Sequence, residues 1–238
     1  MHLIILAAGR GKRLPKKFRN GPKCLTKIMN KTILDYNIEF YNMFKKKFII
    51  TGFKSKKLKY FIKQNNFQEI KNKKFISTNM VYSLFLVSKF IKDDIIVCYG
   101  DIIFNKNIIN ILKGKKNLMP INSNWLKVWK NRMTNKEIIN DAENLEIKGK
   151  HLRSIGGKIK TRLPKYQYMG IFKITKKSFN KLNLLFKKIN NKKIDMTNFL
   201  NIAIKNKIIK FEIRKYNNYW FEIDNIKDIN SISKIDII

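Results

Sequence analysis

Three stretches of this chain combine residue types and spacings that could do chemistry. In the first, an apolar run over residues 3–6 ends in Ala7-Ala8-Gly9-Arg10-Gly11-Lys12-Arg13-Leu14, and the basic loop after it closes with Asn20-Gly21-Pro22-Lys23-Cys24-Leu25. Small residues and two glycines let a backbone approach a ligand closely, and arginines and lysines around them favour an anionic one. The loop is not a dinucleotide fingerprint, because Leu14 stands where G-x-G-x-x-G requires its third glycine. Nor is it a Walker loop, since no G-K-[ST] closes it. The second stretch is Tyr99-Gly100-Asp101, directly after the β-branched run Ile95-Ile96-Val97-Cys98. A carboxylate there lies at the carboxyl end of a buried strand, where α/β sheets bind ligands. The third is Glu222-Ile223-Asp224, whose strand period puts both carboxylates on one face. The two cysteines, Cys24 and Cys98, and the two histidines, His2 and His151, stand in no metal-ligand or nucleophile–base spacing.

Alternating elements must position these groups. Apolar runs predict strands at 3–6, 48–50, 74–76, 95–98 and 118–121, with helices between them at 32–44, 55–65, from a cap at Ser77, Thr78 or Asn79 to Phe90, and at 106–112. Strands and helices in alternation argue a largely parallel sheet covered on both faces. The pattern breaks at Asn122, and residues 122–140 read as polar, aromatic and irregular. Short strands return at 144–147, 151–155 and 168–174, helices at 176–189 and 196–205, late strands at 208–213 and 219–221, and a last helix after Asn225. With no linker and no internal repeat, the chain reads as one domain over residues 1–238 with an inserted subregion at about 122–170.

The bulk composition narrows the function classes. At 238 residues and 44% hydrophobic, the chain can bury a core without disulfides or a structural metal. Two thiols in that length point to a reducing compartment, and no stretch approaches a membrane span or signal peptide, so the expectation is a cytoplasmic protein without a membrane partner. The net charge of +36, from 52 basic and 16 acidic residues, raises nucleic-acid binding. The lysines are scattered, however, and Lys, Asn and Ile are abundant together, which is what A/T-rich codons produce. The charge therefore reads as compositional drift, with no specific nucleic acid expected and only weak, salt-sensitive affinity for RNA.

Leu6-Ala7-Ala8-Gly9-x-Gly11-x-Arg13-Leu14 followed by Pro22-Lys23-x-Leu25 resembles the signature of the nucleotidyltransferase family that activates sugar phosphates, phosphocholine and phosphonates. Thr78-Asn79-Met80-Val81-Tyr82-Ser83-Leu84, Trp125-x-x-x-Trp129-x-x-Arg132 and Asp141-Ala142-Glu143 are similar to a subset of it, the phosphocholine and aminoethylphosphonate cytidylyltransferases. Two departures sit near the acceptor side. Asn122 stands where the subset has an aspartate, and the segment from Lys158 to Tyr168, with Pro164-Lys165, runs about one residue short of that pattern.

The resemblance implies a Rossmann-like, three-layer α/β/α fold with a mixed, mostly parallel central sheet. It implies transfer of a nucleotidyl group from CTP, or another NTP, to a small phosphate or phosphonate acceptor, with release of pyrophosphate. Backbone around Leu6, Ala7, Ala8, Gly9 and Gly11, with Asn79, Ser83 and Gly100, would hold the nucleotide. Arg13 and Lys23 would be the catalytic cations, and Asp101 and Asp224 would hold Mg²⁺. The acceptor would meet Trp125, Trp129, Arg132, Asp141, Glu143, Lys158, Tyr168 and Trp220. For Trp125 and Trp129 a second reading stays open, because residues four apart also form one packed helical face. Alternative functions are a sugar-1-phosphate nucleotidyltransferase and, from another class, a non-catalytic RNA-binding protein.

Overall fold

The computed structural model describes residues 1–159 and 162–232. Among them, one large sheet runs in the order Gln68–Lys71, Lys46–Thr51, His2–Ala7, Ile95–Tyr99, Ile171–Ile174, Leu118–Asn122, Glu212–Tyr216, His151–Lys158 and Glu143–Lys148, with Gln167–Tyr168 added against Leu118–Asn122. The first four strands pair in parallel. Ile171–Ile174 is antiparallel to both of its neighbours, and Glu212–Tyr216 is parallel to Leu118–Asn122. The sheet is therefore mixed, in an α/β Rossmann-like fold.

Strand alternation divides the core into two layers. Leu3, Ile5, Ile49, Ile96 and Cys98 face one side, under Phe40, Tyr41 and Phe61. Ile4, Phe48, Ile50 and Val97 face the other, under Val81, Leu84 and Phe199. Full burial of each such side chain contributes about 1.5–3 kcal/mol, so the central strands are anchored from both faces. Their carboxyl ends form a rigid platform for the residues that follow Leu6 and Tyr99.

Several elements differ from the sequence expectation, each for a physical reason. The third strand is Gln68–Lys71, not 74–76. The Asn72 N–H donates to the Thr51 carbonyl at 2.7 Å, and its side-chain oxygen accepts from the Lys74 N–H at 2.8 Å, turning the chain away from the sheet. Residues 122–140 are not irregular but carry helices at Trp125–Lys130 and Asn135–Asp141. Thr134 and Glu137 form a capping box on the second, a start signal visible in the sequence. The late strand is Glu212–Tyr216 rather than 208–213, because Ile208 and Ile209 donate back to the Ala203 carbonyl and finish the preceding helix.

The helix expected over 32–44 opens at the Thr32 cap but breaks at Asn37 into Ile33–Tyr36 and Ile38–Asn42. The break frees the buried Asn37 amide, which donates to the Ile102 carbonyl at 2.7 Å and accepts from the Phe104 N–H at 3.2 Å. Ile102–Phe104 is a short strand that the sequence reading did not include, and it pairs antiparallel with Trp220–Glu222, Ile102 opposite Glu222. The Ile223 N–H also donates to the Asp101 carbonyl at 2.9 Å. Two segments more than a hundred residues apart are thereby held in one register.

Asn37→Leu removes both hydrogen-bonding groups from this buried anchor. It should destabilise the chain by about 1–3 kcal/mol, measured by urea unfolding, where an exposed asparagine such as Asn140 replaced the same way should cost far less.

Candidate active site

The register of Ile102–Phe104 against Trp220–Glu222 brings Asp101, Glu222 and Asp224 together. One ligand oxygen from each lies within 4.8 Å of the other two. Between them sits Lys23. Its ammonium donates to Asp101 Oδ2 at 2.7 Å and to Asp224 Oδ1, with 12% of the lysine side chain exposed. Lys23 reaches this point because Pro22 starts a short 3-10 turn, Lys23–Leu25, that buries Cys24 and turns the lysine inward. Gly11, at φ +59°, lies against its stem, where an added Cβ would come 3.2 Å from the Lys23 Cβ.

The electrostatics follow from this crowding. Burial works against a charged Lys23, but Asp101, then Asp224 and Glu222, outweigh it and hold its pKa above the ordinary lysine range. Glu222 is the group that yields. Burial, then the charges of Asp224 and Asp101, push its pKa up to about 8. Burial and the nearby Asp101 also push the Cys24 thiol up to about 12, so it is no nucleophile at neutral pH. Arg13 reaches the same cluster from outside. One guanidinium nitrogen lies 2.7 Å from Asp224 Oδ2 and another 3.5 Å from Asp141 Oδ1, with the arginine side chain 62% exposed.

A cavity opens beside Lys23 and Asp101. Leu6, Ala7, Ala8, Gly9 and Gly100 form one wall, and Asn79 and Ser83 line the other. Gly100 is needed for close packing, since a Cβ there would lie 3.0 Å from the Leu6 carbonyl oxygen. The sequence reading missed Asn72, Phe75 and Tyr99 in this lining. Asn72, buried, donates to the hydroxyls of Thr78 and Ser83 at 3.0 and 2.9 Å and so fixes the floor. Its signal was obscured by the misplaced third strand, and only its helix-side partners carried a readable motif.

The residues expected at the acceptor divide in two. Asp141 is exposed beside Arg13. Glu143 is partly buried, accepts the Thr197 hydroxyl at 2.8 Å, and is raised in pKa by burial. Lys158 is exposed and stands opposite Glu143 in strand register. Tyr168 is buried, its ring 5.9 Å from that of Tyr99, which lines the cavity. The other four lie in the interior, against the expectation that they touch the acceptor. Trp125 and Trp129 are buried edge-to-face at 5.1 Å, the packed helical face of the second reading, because apolar burial of two adjacent rings outweighs their exposure. Trp220 is buried with its indole N–H donating to the Met169 carbonyl at 3.0 Å. Arg132 is turned inward to a buried Asp228. Residues 160 and 161, within the 122–170 subregion, lie outside the described residues.

No protein-family model matches the chain. It is 28% identical over 250 aligned residues to the CTP:phosphoglutamine cytidylyltransferase of Campylobacter jejuni, a match covering 96% of this chain and 98% of that one. It is 31% identical over 117 residues to the choline-phosphate cytidylyltransferase of Streptococcus pneumoniae, covering 47% of this chain and 50% of that protein. Its fold is shared with the inositol-1-phosphate CTP transferase of T. maritima at a TM-score of 0.79, with 18% identity over 99% of this chain and 96% of that one.

The raised pKa of Glu222 carries a signed consequence. From its ordinary value of 4.5 up to about 8, the folded chain holds a proton that the unfolded chain releases, so Glu222 lowers stability as pH rises through that window. Glu222→Gln removes this term. Its stability relative to the parent should therefore rise between about pH 5 and about pH 8 and level off above, as read by chemical unfolding at each pH.

Proposed function

The chain belongs to the nucleotidyltransferase family, close to its cytidylyltransferases, and from that premise we propose that it transfers the CMP unit of CTP to a small phosphorylated or phosphonylated acceptor, releasing pyrophosphate with Mg²⁺ present. The observation that carries the reading is the Lys23 ammonium between Asp101 and Asp224 at the wall of a small-residue cavity. An in-line displacement at phosphorus needs alignment and charge neutralisation rather than a protein nucleophile, and this cluster offers both.

The carboxylates suit a divalent cation. Asp101 Oδ1 is buried without a hydrogen-bond partner, and the all-oxygen donor set fits a hard ion. Asp101 and Asp224, with Glu222 beside them, would hold Mg²⁺, which supplies neutralisation and Lewis acidity at phosphate oxygens. Lys23, fixed by the same carboxylates, presents a permanent positive charge at the cavity wall for the reacting phosphate. Arg13, exposed at the edge of the cluster and only 3.5 Å from Asp141, offers a bidentate fork for the departing pyrophosphate. The backbone around Gly9 has room to receive phosphate oxygens, since a Cβ there meets no protein atom within 4 Å.

Both of these relatives are named cytidylyltransferases, and the acceptors in their names, phosphoglutamine and choline phosphate, join a phosphate to a nitrogen-bearing group. Carboxylates of Asp141 and Glu143 at the acceptor would favour a positively charged nitrogen there. Incubation with each NTP and a panel of phospho-amino-acid derivatives, phosphocholine, aminoethylphosphonate and sugar 1-phosphates, followed as pyrophosphate release, should give turnover with CTP and a nitrogen-bearing acceptor. Asp101→Ala should abolish it. Turnover confined to sugar 1-phosphates would replace the acceptor assignment, and full activity of Asp101→Ala would remove Asp101 from the site.

A further inference from the structure

Arg132 was expected at the acceptor, yet its side chain is 5% exposed and ion-paired to Asp228, itself 1% exposed. Asp228 uses its other oxygen on the site. Asp228 Oδ2 accepts the backbone N–H of Asp224 at 2.6 Å and of Asn225 at 2.8 Å. The Asn225 side chain in turn accepts from the N–H of Lys227 at 2.8 Å, closing the turn that leads into the helix Ile226–Ile232. The carboxylate that pairs with Lys23 and Arg13 therefore hangs from a peptide gripped by a second, deeper carboxylate. A buried carboxylate of this kind needs compensation for its lost hydration, and Arg132 supplies a cation to its other oxygen. Its guanidinium rests 5.4 Å from the Trp129 ring centre, so the packed pair Trp125 and Trp129 holds the arginine in place.

We propose that Arg132 and Asp228 are positioning residues for Asp224, linking the packed tryptophan helix of residues 122–170 to the cation-binding carboxylates, and that Arg132 does not touch the acceptor. The inference rests on the reading that Asp224 helps hold a divalent cation. It gives the Trp-x-x-x-Trp-x-x-Arg spacing a mechanical purpose: two rings set an arginine, the arginine sets Asp228, and Asp228 sets the backbone of Asp224. Outer carboxylates and cations of this type commonly change metal affinity by about 10–100-fold when removed.

The test is Mn²⁺ binding followed by electron paramagnetic resonance, with acceptor and nucleotide kinetics alongside, on the parent chain, Arg132→Met, the double variant Arg132→Met/Asp228→Leu, and Asp224→Asn. The double variant removes both buried charges and guards against simple misfolding of the single one. Expected are Mn²⁺ affinities weakened about 10–100-fold in all three, a matching fall in kcat for both Arg132 variants, and an acceptor KM within about threefold of the parent. A variant with normal Mn²⁺ affinity but a raised acceptor KM would make Arg132 an acceptor ligand and overturn the proposal. Recovery of Mn²⁺ affinity together with thermal stability in the double variant would reduce the pair to a structural role and also overturn it. If Asp224→Asn binds Mn²⁺ as the parent does, the cation reading itself falls and takes the inference with it; if only Asp224→Asn is impaired, the cation reading stands and the positioning role alone fails.

Discussion

The contact on which the site depends is one ammonium held between two carboxylates. Two unit charges about 4 Å apart near a protein surface interact by about 4 kcal/mol, and Asp101, Glu222 and Asp224 each have a ligand oxygen within 4.8 Å of the others. Without a cation among them, the turn that holds Asp224 and the strand end that holds Asp101 would repel. Lys23 supplies the charge, Arg13 adds a second from the solvent side, and the proton retained by Glu222 absorbs part of the remainder. The same arrangement keeps a strong positive charge beside a cavity lined with small residues, the condition for receiving a polyanionic nucleotide.

The sheet makes that contact reproducible. Parallel central strands buried on both faces fix the ends of His2–Ala7 and Ile95–Tyr99, from which the glycine loop and Asp101 leave. The antiparallel pairing of Ile102–Phe104 with Trp220–Glu222 then carries the far end of the chain to the same place. Asn37 locks that pairing from behind by ending its own helix early. Local helical preference is given up at Asn37 because the buried amide satisfies two strand groups that would otherwise be unpaired.

Much of this was legible in the sequence, and the reasons are physical. The glycine loop and Asp101 could be read because close approach and strand-end geometry demand particular residue types at particular spacings, and Lys23 could be read through the family resemblance. The sheet strands nearest the core could be read because burial on both faces leaves continuous apolar runs. The edge strand Gln68–Lys71 could not, since half-buried edge positions need no such run. Ile102–Phe104 escaped because three apolar residues carry no periodicity. Trp125 and Trp129 were undecided for a related reason: spacing reports that two rings share a helical face but not what covers it, and here each covers the other. Arg132 shows the same limit for charge, its partner Asp228 lying far along the chain in a short helix.

The role we propose for Lys23 is to act on the reacting phosphate rather than merely to bind the nucleotide. The direct measurement is the turnover of Lys23→Met in CTP-dependent pyrophosphate release, alongside its affinity for CTP. Turnover should fall by about 10²–10³-fold with CTP affinity changed by less than about tenfold. Turnover preserved at saturating CTP, with only the affinity weakened, would contradict it.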